Sequence, residues 1–322
     1  MIDADSAQAL DERHAIGTTL RFGSGAGGLV FARIDNAHAQ ATICLQGAHV
    51  THWQPRTQAE PVLWLSPAAR YAPGTPIRGG IPVCWPWFGP APAGAAAPAH
   101  GFARTQRWGV QASATEADGA TRLQLHLHDT AATRALWPQA FALELHLVVG
   151  ATLEVTLLSH NTGDRTYTIS EALHSYFRVG DIGAIGLEGL EGAEFTDTAA
   201  GARRARQHGA VRFAQETDRV YDSAAACTID DPLLQRRIHI EKWGSASTVV
   251  WTPWDAKAAR LGDLGEGTPA AGAWRGLLCV ESANALAAGV ALAPGQRHAL
   301  RARYRVLERA ALGTHGSASD SQ

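Results

Sequence analysis

Four short tracts set isolated polar residues among apolar ones, and the residue types allow proton transfer and anion capture. Two of them are Pro76-Ile77-Arg78-Gly79-Gly80-Ile81-Pro82 and His100-Gly101-Phe102-Ala103-Arg104. Arg78 sits on a backbone constrained by prolines, and the glycines beside it let a ligand approach closely. Two arginines from neighbouring loops can fork around a phosphate through charge-assisted hydrogen bonds. The other two tracts are Glu171-Ala172-Leu173-His174-Ser175-Tyr176-Phe177 and Leu277-Leu278-Cys279-Val280-Glu281-Ser282-Ala283-Asn284. Histidine is the side chain whose ordinary pKa suits proton transfer near neutrality. Glu281 is a lone carboxylate in a strongly apolar run, and burial there raises a carboxyl pKa toward the range of a general base. Each residue also has a plainer reading: a surface charge for either arginine, a hydrogen-bonded core histidine, a paired structural glutamate.

The elements that must position these residues are strands. Phe141, Leu143, Leu145, Leu147 and Val149 alternate with Ala142, Glu144, His146 and Val148, and after Gly150-Ala151 the alternation resumes with Leu153, Val155 and Leu157. This is a hairpin with one buried face. Leu123, Leu125 and Leu127 form a preceding strand, with Gln124, His126 and His128 opposite. Further strands are expected at 29–34, 41–53, 168–177, 237–241, 247–251, 277–282 and 297–306. Within 168–177 the alternation puts Ala172, His174 and Tyr176 on one face and Leu173 and Phe177 on the other. Helical patterning is confined to a short turn at 131–137, stopped by Pro138, and part of the N-terminal segment. Many short strands with Gly/Pro punctuation and little helix predict an all-β sandwich.

Composition narrows the function classes. The chain has 322 residues, 46% hydrophobic and 18% charged, which excludes disorder along the whole length. Its net charge of −2 offers no bulk attraction to nucleic acid or anionic lipid, so an anionic ligand must be held locally. Only Lys242 and Lys257 among 28 basic residues are lysine. Beside the single methionine and abundant alanine, this reads as coding bias. No apolar run is long enough to span a membrane, and the acidic N-terminus lacks the pattern of a signal peptide. Cys44, Cys84, Cys227 and Cys279 are far apart, which predicts free buried thiols in a cytoplasmic protein.

Several motifs lead elsewhere. Gly23, Gly25 and Gly28 fit G-x-G-x-x-G, but a strand-like LVFARID follows where a nucleotide site needs a helix, so a hairpin turn is expected. The pairs His126/His128 and His49/His52 lack a third ligand at a recognisable spacing, so no metal is expected. Trp85-Pro86-Trp87-Phe88 could be core or could floor a sugar site. The stretch 86–99 is a loop by composition and borders the candidate site.

Six motifs in this order resemble the hexose-6-phosphate mutarotases, the glucose-6-phosphate 1-epimerase branch of the aldose 1-epimerase superfamily, in its bacterial type. They are PIRGGIPVCWPWFGP (76–90), AHGFAR (99–104), EALHSYF (171–177), ETDRVY (216–221), WTPWDAK (251–257) and CVESAN (279–284). The resemblance runs from about Leu45 to Val306. It implies a galactose-mutarotase-like supersandwich of large twisted antiparallel sheets, with a cleft across the sheet face and no cofactor. It implies that His174 is the general acid, Glu281 the general base, and Arg78 and Arg104 the phosphate ligands. His100 matches a second histidine near the sugar ring, Asp218 a substrate-binding carboxylate, and Lys257 a basic position of the substrate site. Two positions depart from the pattern: Ala99, where some eukaryotic relatives carry Gln, and Thr252, where Asn is expected.

The implied reaction interconverts the α and β anomers of a hexose 6-phosphate. The implied partner is that sugar phosphate alone, with no nucleic acid or membrane, and the expected state is a monomer. Residues 78 to 281 must converge on one cleft, so one domain over 1–322 is expected, with flexible tails at about 1–13 and 311–322. The competing readings are an aldose 1-epimerase acting on free sugars, a non-catalytic carbohydrate-binding protein, and, more remotely, a lyase on a related sandwich.

Overall fold

The computed structural model describes residues 6–91, 97–264 and 270–309. The hairpin appears as Phe141–Val149 and Thr152–Asn161, with apolar side chains buried at every second position. It lies in an eight-stranded sheet that runs, in spatial order, Gly186–Glu188, Cys227–Asp231, Arg236–Trp243, Arg297–Glu308, Thr152–Asn161, Phe141–Val149, Thr121–His128 and Gly109–Thr115. A second eight-stranded sheet carries the candidate site. Its order is Arg203–Arg206, Glu194–Asp197, Thr217–Tyr221, Ser247–Thr252, Leu277–Asn284, Glu171–Leu173 and Val83–Cys84, and Tyr176–Arg178 also pairs with Leu277–Asn284. The described strand pairs of both sheets are antiparallel. A four-stranded meander from Leu20–Ser24 to His49–Pro55 completes the β framework beside a small two-stranded sheet.

The two large sheets pack face to face through a polar-pinned apolar core. Phe177 meets Tyr304 at 5.5 Å between ring centroids, and Ser175 Oγ lies 2.6 Å from the Tyr304 hydroxyl. Further along, Glu171 accepts from Ser159 and Asn284, and His298 Nε2 lies 3.0 Å from its carboxylate. A buried carboxylate so surrounded is satisfied and not orphaned. Apolar alternation turns this face inward and leaves the opposite face of the site sheet to line the cleft.

Three sequence expectations change. The run 41–53 is two strands, Ala39–Cys44 and His49–Pro55, because Gly47 and Ala48 take left-handed backbone and turn the chain. The run 168–177 is three short strands, Tyr167–Ile169, Glu171–Leu173 and Tyr176–Arg178. Residues 7–13 are not a flexible tail: Ala7–His14 is a helix capped by the Ser6 hydroxyl, and Leu10 is buried. The 131–137 turn is the helix Ala131–Leu136, started by a Thr130/Thr133 capping box. Gly25–Gly28 joins Leu20–Ser24 to Val30–Asp35 as the expected hairpin turn. Residues 311–322, and 92–96 of the site-bordering loop, lie outside the described residues.

Candidate active site

Strand register brings the proposed acid and base together. Leu173 pairs with Ser282 and Tyr176 with Cys279. The register is the same on both sides of the interruption at 174–175, so His174 stands opposite Glu281. Residues opposed across an antiparallel pair project to the same face with Cβ atoms about 5 Å apart. His174 Nδ1 lies 3.4 Å from Glu281 Oε1. The interruption is held by the His174 amide donating to Pro82 O and the Val280 amide donating to Ser175 O.

The same register builds the cleft floor. Val220 opposes Val249, which opposes Glu281, and the row ends at His174. In the next row Asp218 opposes Trp251, Trp251 opposes Cys279 and Cys279 opposes Tyr176. Over this floor lies a cavity of about 480 Å³ that includes His174, Glu281, His100, Asp218, Lys257 and Trp251. A second cavity of about 420 Å³ adjoins it and is lined by Arg78 and Arg104. Arg78, His100, His174 and Tyr176 line both, so the two are lobes of one cleft.

Electrostatics oppose charge on the central pair. Burial pushes His174 well below its ordinary value, and His100, Arg104 and Arg78 add to the effect. Burial pushes Glu281 well up, Asp218 adds to this, and Arg104 partly offsets it. Glu281 Oε2 and His174 Nδ1 are buried without a hydrogen-bond partner among the described residues. Tyr176 stacks on His174 at 4.7 Å and 7° between planes, and its hydroxyl accepts from Arg78 Nη1 at 3.2 Å.

The loops set the rest. His100 packs edge-on against His174 at 5.7 Å. Its Nδ1 accepts from the Gly89 amide, and burial with Arg104 and Arg78 pushes its pKa down to about 4. It is therefore a neutral imidazole protonated at Nε2. Gly101 (φ 69°) leaves no room for a Cβ, which would meet Trp85 O at 1.9 Å. Arg104 Nη2 donates to Ala99 O at 2.8 Å, and its buried Nε has no described partner. Arg78 Nε donates to Asp263 at 2.9 Å. The Gly79-Gly80 pair serves the fold and not a ligand: a Cβ on Gly79 would lie 2.6 Å from Leu65 Cα, and one on Gly80 2.3 Å from Val50 O. Buried His49 also donates to Gly79 O at 2.6 Å.

Lys257 comes from the short helix Trp254–Ala258 and pairs with Glu216 at 2.8 Å, with Asp218 at 3.8 Å. Burial raises the Asp218 pKa. All seven sequence-predicted residues thus border one cleft. Sequence reasoning missed Tyr176, Trp251 and Asp263. Tyr176 could have been found, since it shares the His174 face two residues on. Asp263 carries no local signal. The aromatic tract divides: Trp85 and Trp87 are buried core, whereas Phe88 faces the cleft.

This arrangement of fold and cleft is that of a sugar epimerase, and residues 31–305 match the family described as aldose 1-epimerase. The chain belongs to that family, whose members are isomerases. It is 38% identical over 253 residues to a candidate glucose-6-phosphate 1-epimerase of Escherichia coli (strain K12), covering 78% of this chain and 82% of the relative. A similarly named protein of Cenchrus ciliaris is 32% identical, covering 80% of this chain and 78% of the relative. The crystal structure of a candidate mutarotase from Salmonella typhimurium superposes with a TM-score of 0.83 and 32% identity, covering 92% of this chain and 96% of that one. A galactose mutarotase-like protein from Lactobacillus casei shares the fold at a TM-score of 0.69 and 14% identity, covering 86% of this chain and all of that one. No described helix is long and apolar enough to cross a membrane.

Proposed function

We propose that the protein interconverts the α and β anomers of hexose 6-phosphates, with glucose 6-phosphate as the reference substrate. The observation that carries this reading is the adjacency of two lobes, one built around the His174–Glu281 pair and one lined by Arg78 and Arg104. Arg78 and Arg104 hold the phosphate, and the pyranose ring lies over the floor between His100, Asp218, Lys257 and Trp251. Binding energy at the phosphate then orients the anomeric carbon, which is remote from it.

Ring opening needs one base and one acid. Glu281 takes the proton from the C1 hydroxyl as the C1=O double bond forms. The C1–O5 bond breaks, its electron pair goes to O5, and His174 delivers a proton there. Rotation about C1–C2 presents the other face of the aldehyde, and closure reverses both transfers. No electrons or groups leave, so atoms and charge balance without a co-reactant. General acid–base help of about 10²–10⁴-fold per participant, plus positioning, is the scale required for a reaction that already runs in water.

Burial in the cleft favours the neutral pair, with the shared proton on Glu281. The ion pair needed for the forward step holds the same number of protons. A phosphate dianion between Arg78 and Arg104 offsets two of the charges that depress His174. Substrate binding thus shifts the proton toward the imidazole.

We read the chain as one domain, since a single apolar cluster runs from Leu10 to Tyr304. We also place it in the cytoplasm as a monomer: its four cysteines are buried and free, and among the described residues only Leu233, Trp243 and Leu286 are exposed large apolar side chains. The deciding experiment is anomer exchange by NMR on glucose 6-phosphate and free glucose. Strong preference for the phosphate ester is expected. Equal rates assign the chain to free sugars, and sugar binding without exchange makes it a carbohydrate-binding protein.

A further inference from the structure

The anion lobe holds more positive charge than Arg78 and Arg104 supply. Arg70 and Arg260 line it as well, and both are exposed. One described carboxylate, Asp263, also lines it, and it is engaged by Arg78. Arg78 is partly consumed by the protein, with Nε on Asp263 and Nη1 on the Tyr176 hydroxyl. Arg104 spends one N–H on Ala99 O. Arg70 makes a long bond to Gly262 O at 3.4 Å. Arg260 has no side-chain hydrogen bond or ion pair among the described residues. Its guanidinium is the least committed of the four.

The chain keeps these charges together by stitching two loops. Ser66 Oγ donates to Asp263 O at 2.6 Å, Arg70 reaches Gly262 O, and Arg78 reaches the Asp263 carboxylate. Arg70 on one loop and Arg260 on the other are thereby set on the outer side of the lobe. Four arginines beside one described carboxylate leave positive charge in excess among the described residues, which a bound anion would offset. A phosphate monoester has three terminal oxygens, each of which accepts more than one hydrogen bond, so its cradle can draw on more than two arginines.

We propose that Arg260, assisted by Arg70, forms the outer half of the phosphate cradle and sets the preference for phosphorylated over free hexose. The proposal rests on the hexose 6-phosphate reading. Arg78 and Arg104 are the inner half, next to His174 and His100. The outer pair meets the dianion as it enters, and its exposed position makes its contribution salt-dependent.

The test compares wild type with Arg260→Ala and with the double variant Arg70→Ala/Arg260→Ala by NMR exchange on glucose 6-phosphate and glucose. Inorganic phosphate serves as a competitive inhibitor. The expected result is a KM for glucose 6-phosphate raised about 10-fold in R260A and further in the double variant, with the inhibition constant of inorganic phosphate raised in parallel. The loss should fall on KM and not kcat, and Arg260→Lys should restore part of it. Adding salt to about 0.5 M should shrink the difference from wild type. An unchanged KM and inhibition constant in both variants overturns the proposal, as does an equal loss on glucose and its phosphate. A wild type that itself shows no preference for glucose 6-phosphate sinks the underlying function first.

Discussion

Glu281→Gln separates catalysis from folding at the residue on which the proposed mechanism turns. The change keeps shape and volume and removes the ionisable group. Glu281 is 1% exposed, its Oε1 is 3.4 Å from His174 Nδ1, and its Oε2 has no described partner. Losing the base should lower exchange by about 10²–10⁴-fold, equivalent to about 3–5 kcal/mol of transition-state stabilisation. Stability should move the other way. Burial penalises the ionised form of Glu281, and an amide that cannot ionise escapes that penalty. A gain of about 1 kcal/mol in a chain of this size is a rise of about 2 °C in Tm. The pH dependence carries a sign. Glu281 has a raised pKa, so the folded state holds its proton more tightly than the unfolded state does. Its contribution to stability therefore declines as pH rises from the ordinary value of about 4.5 through the raised one, and E281Q abolishes that decline. The Tm gain should be larger at pH 8 than at pH 5. The assays are anomeric exchange by NMR and calorimetric unfolding of the same samples. Activity within about threefold of wild type removes Glu281 as the base. Lost activity with a Tm lowered by several degrees makes it a structural support and refutes the reasoning.

Three further outcomes follow from the same geometry. Arg104→Ala should reduce kcat/KM for glucose 6-phosphate by about 10²-fold while moving exchange of glucose far less, because about 3 kcal/mol of charge-assisted bonding acts on the phosphate alone; equal losses on the two sugars reject the clamp. Adding inorganic phosphate should raise the His174 pKa in an NMR titration, since the anion offsets Arg104 and Arg78; an unmoved titration removes the electrostatic link between the lobes. His298→Ala should destabilise by about 3 kcal/mol at pH 6 by leaving buried Glu171 short of a partner. The His298 pKa is raised by its hydrogen bond to Glu171, so the charged form stabilises below about 6.5 and that part is lost as pH climbs through the raised value. The Tm gap to wild type should narrow from pH 6 to pH 9, and a gap that widens contradicts the ion pair.

The sequence by itself determined the all-β class and the faces of its most regular strands. A period of two is a property of the local backbone, so Phe141–Val149 and the shared face of Ala172, His174 and Tyr176 could be read without a partner strand. The types of the candidate acid, base and anion ligands were equally legible, because chemistry resides in single side chains. Tertiary structure decided what stands opposite what. Register depends on the neighbouring strand, and it alone places Glu281 across from His174 and lines up Val220 and Val249 beside them. It split 168–177 at the two points where a loop carbonyl captures an amide, Pro86 O that of Ser170 and Pro82 O that of His174. It gave the Gly79-Gly80 pair to backbone packing and divided the tryptophan tract between core and cleft. Asp263, Arg70 and Arg260 meet in the anion lobe only because separate loops are stitched together, and no local pattern in the chain encodes such a long-range contact.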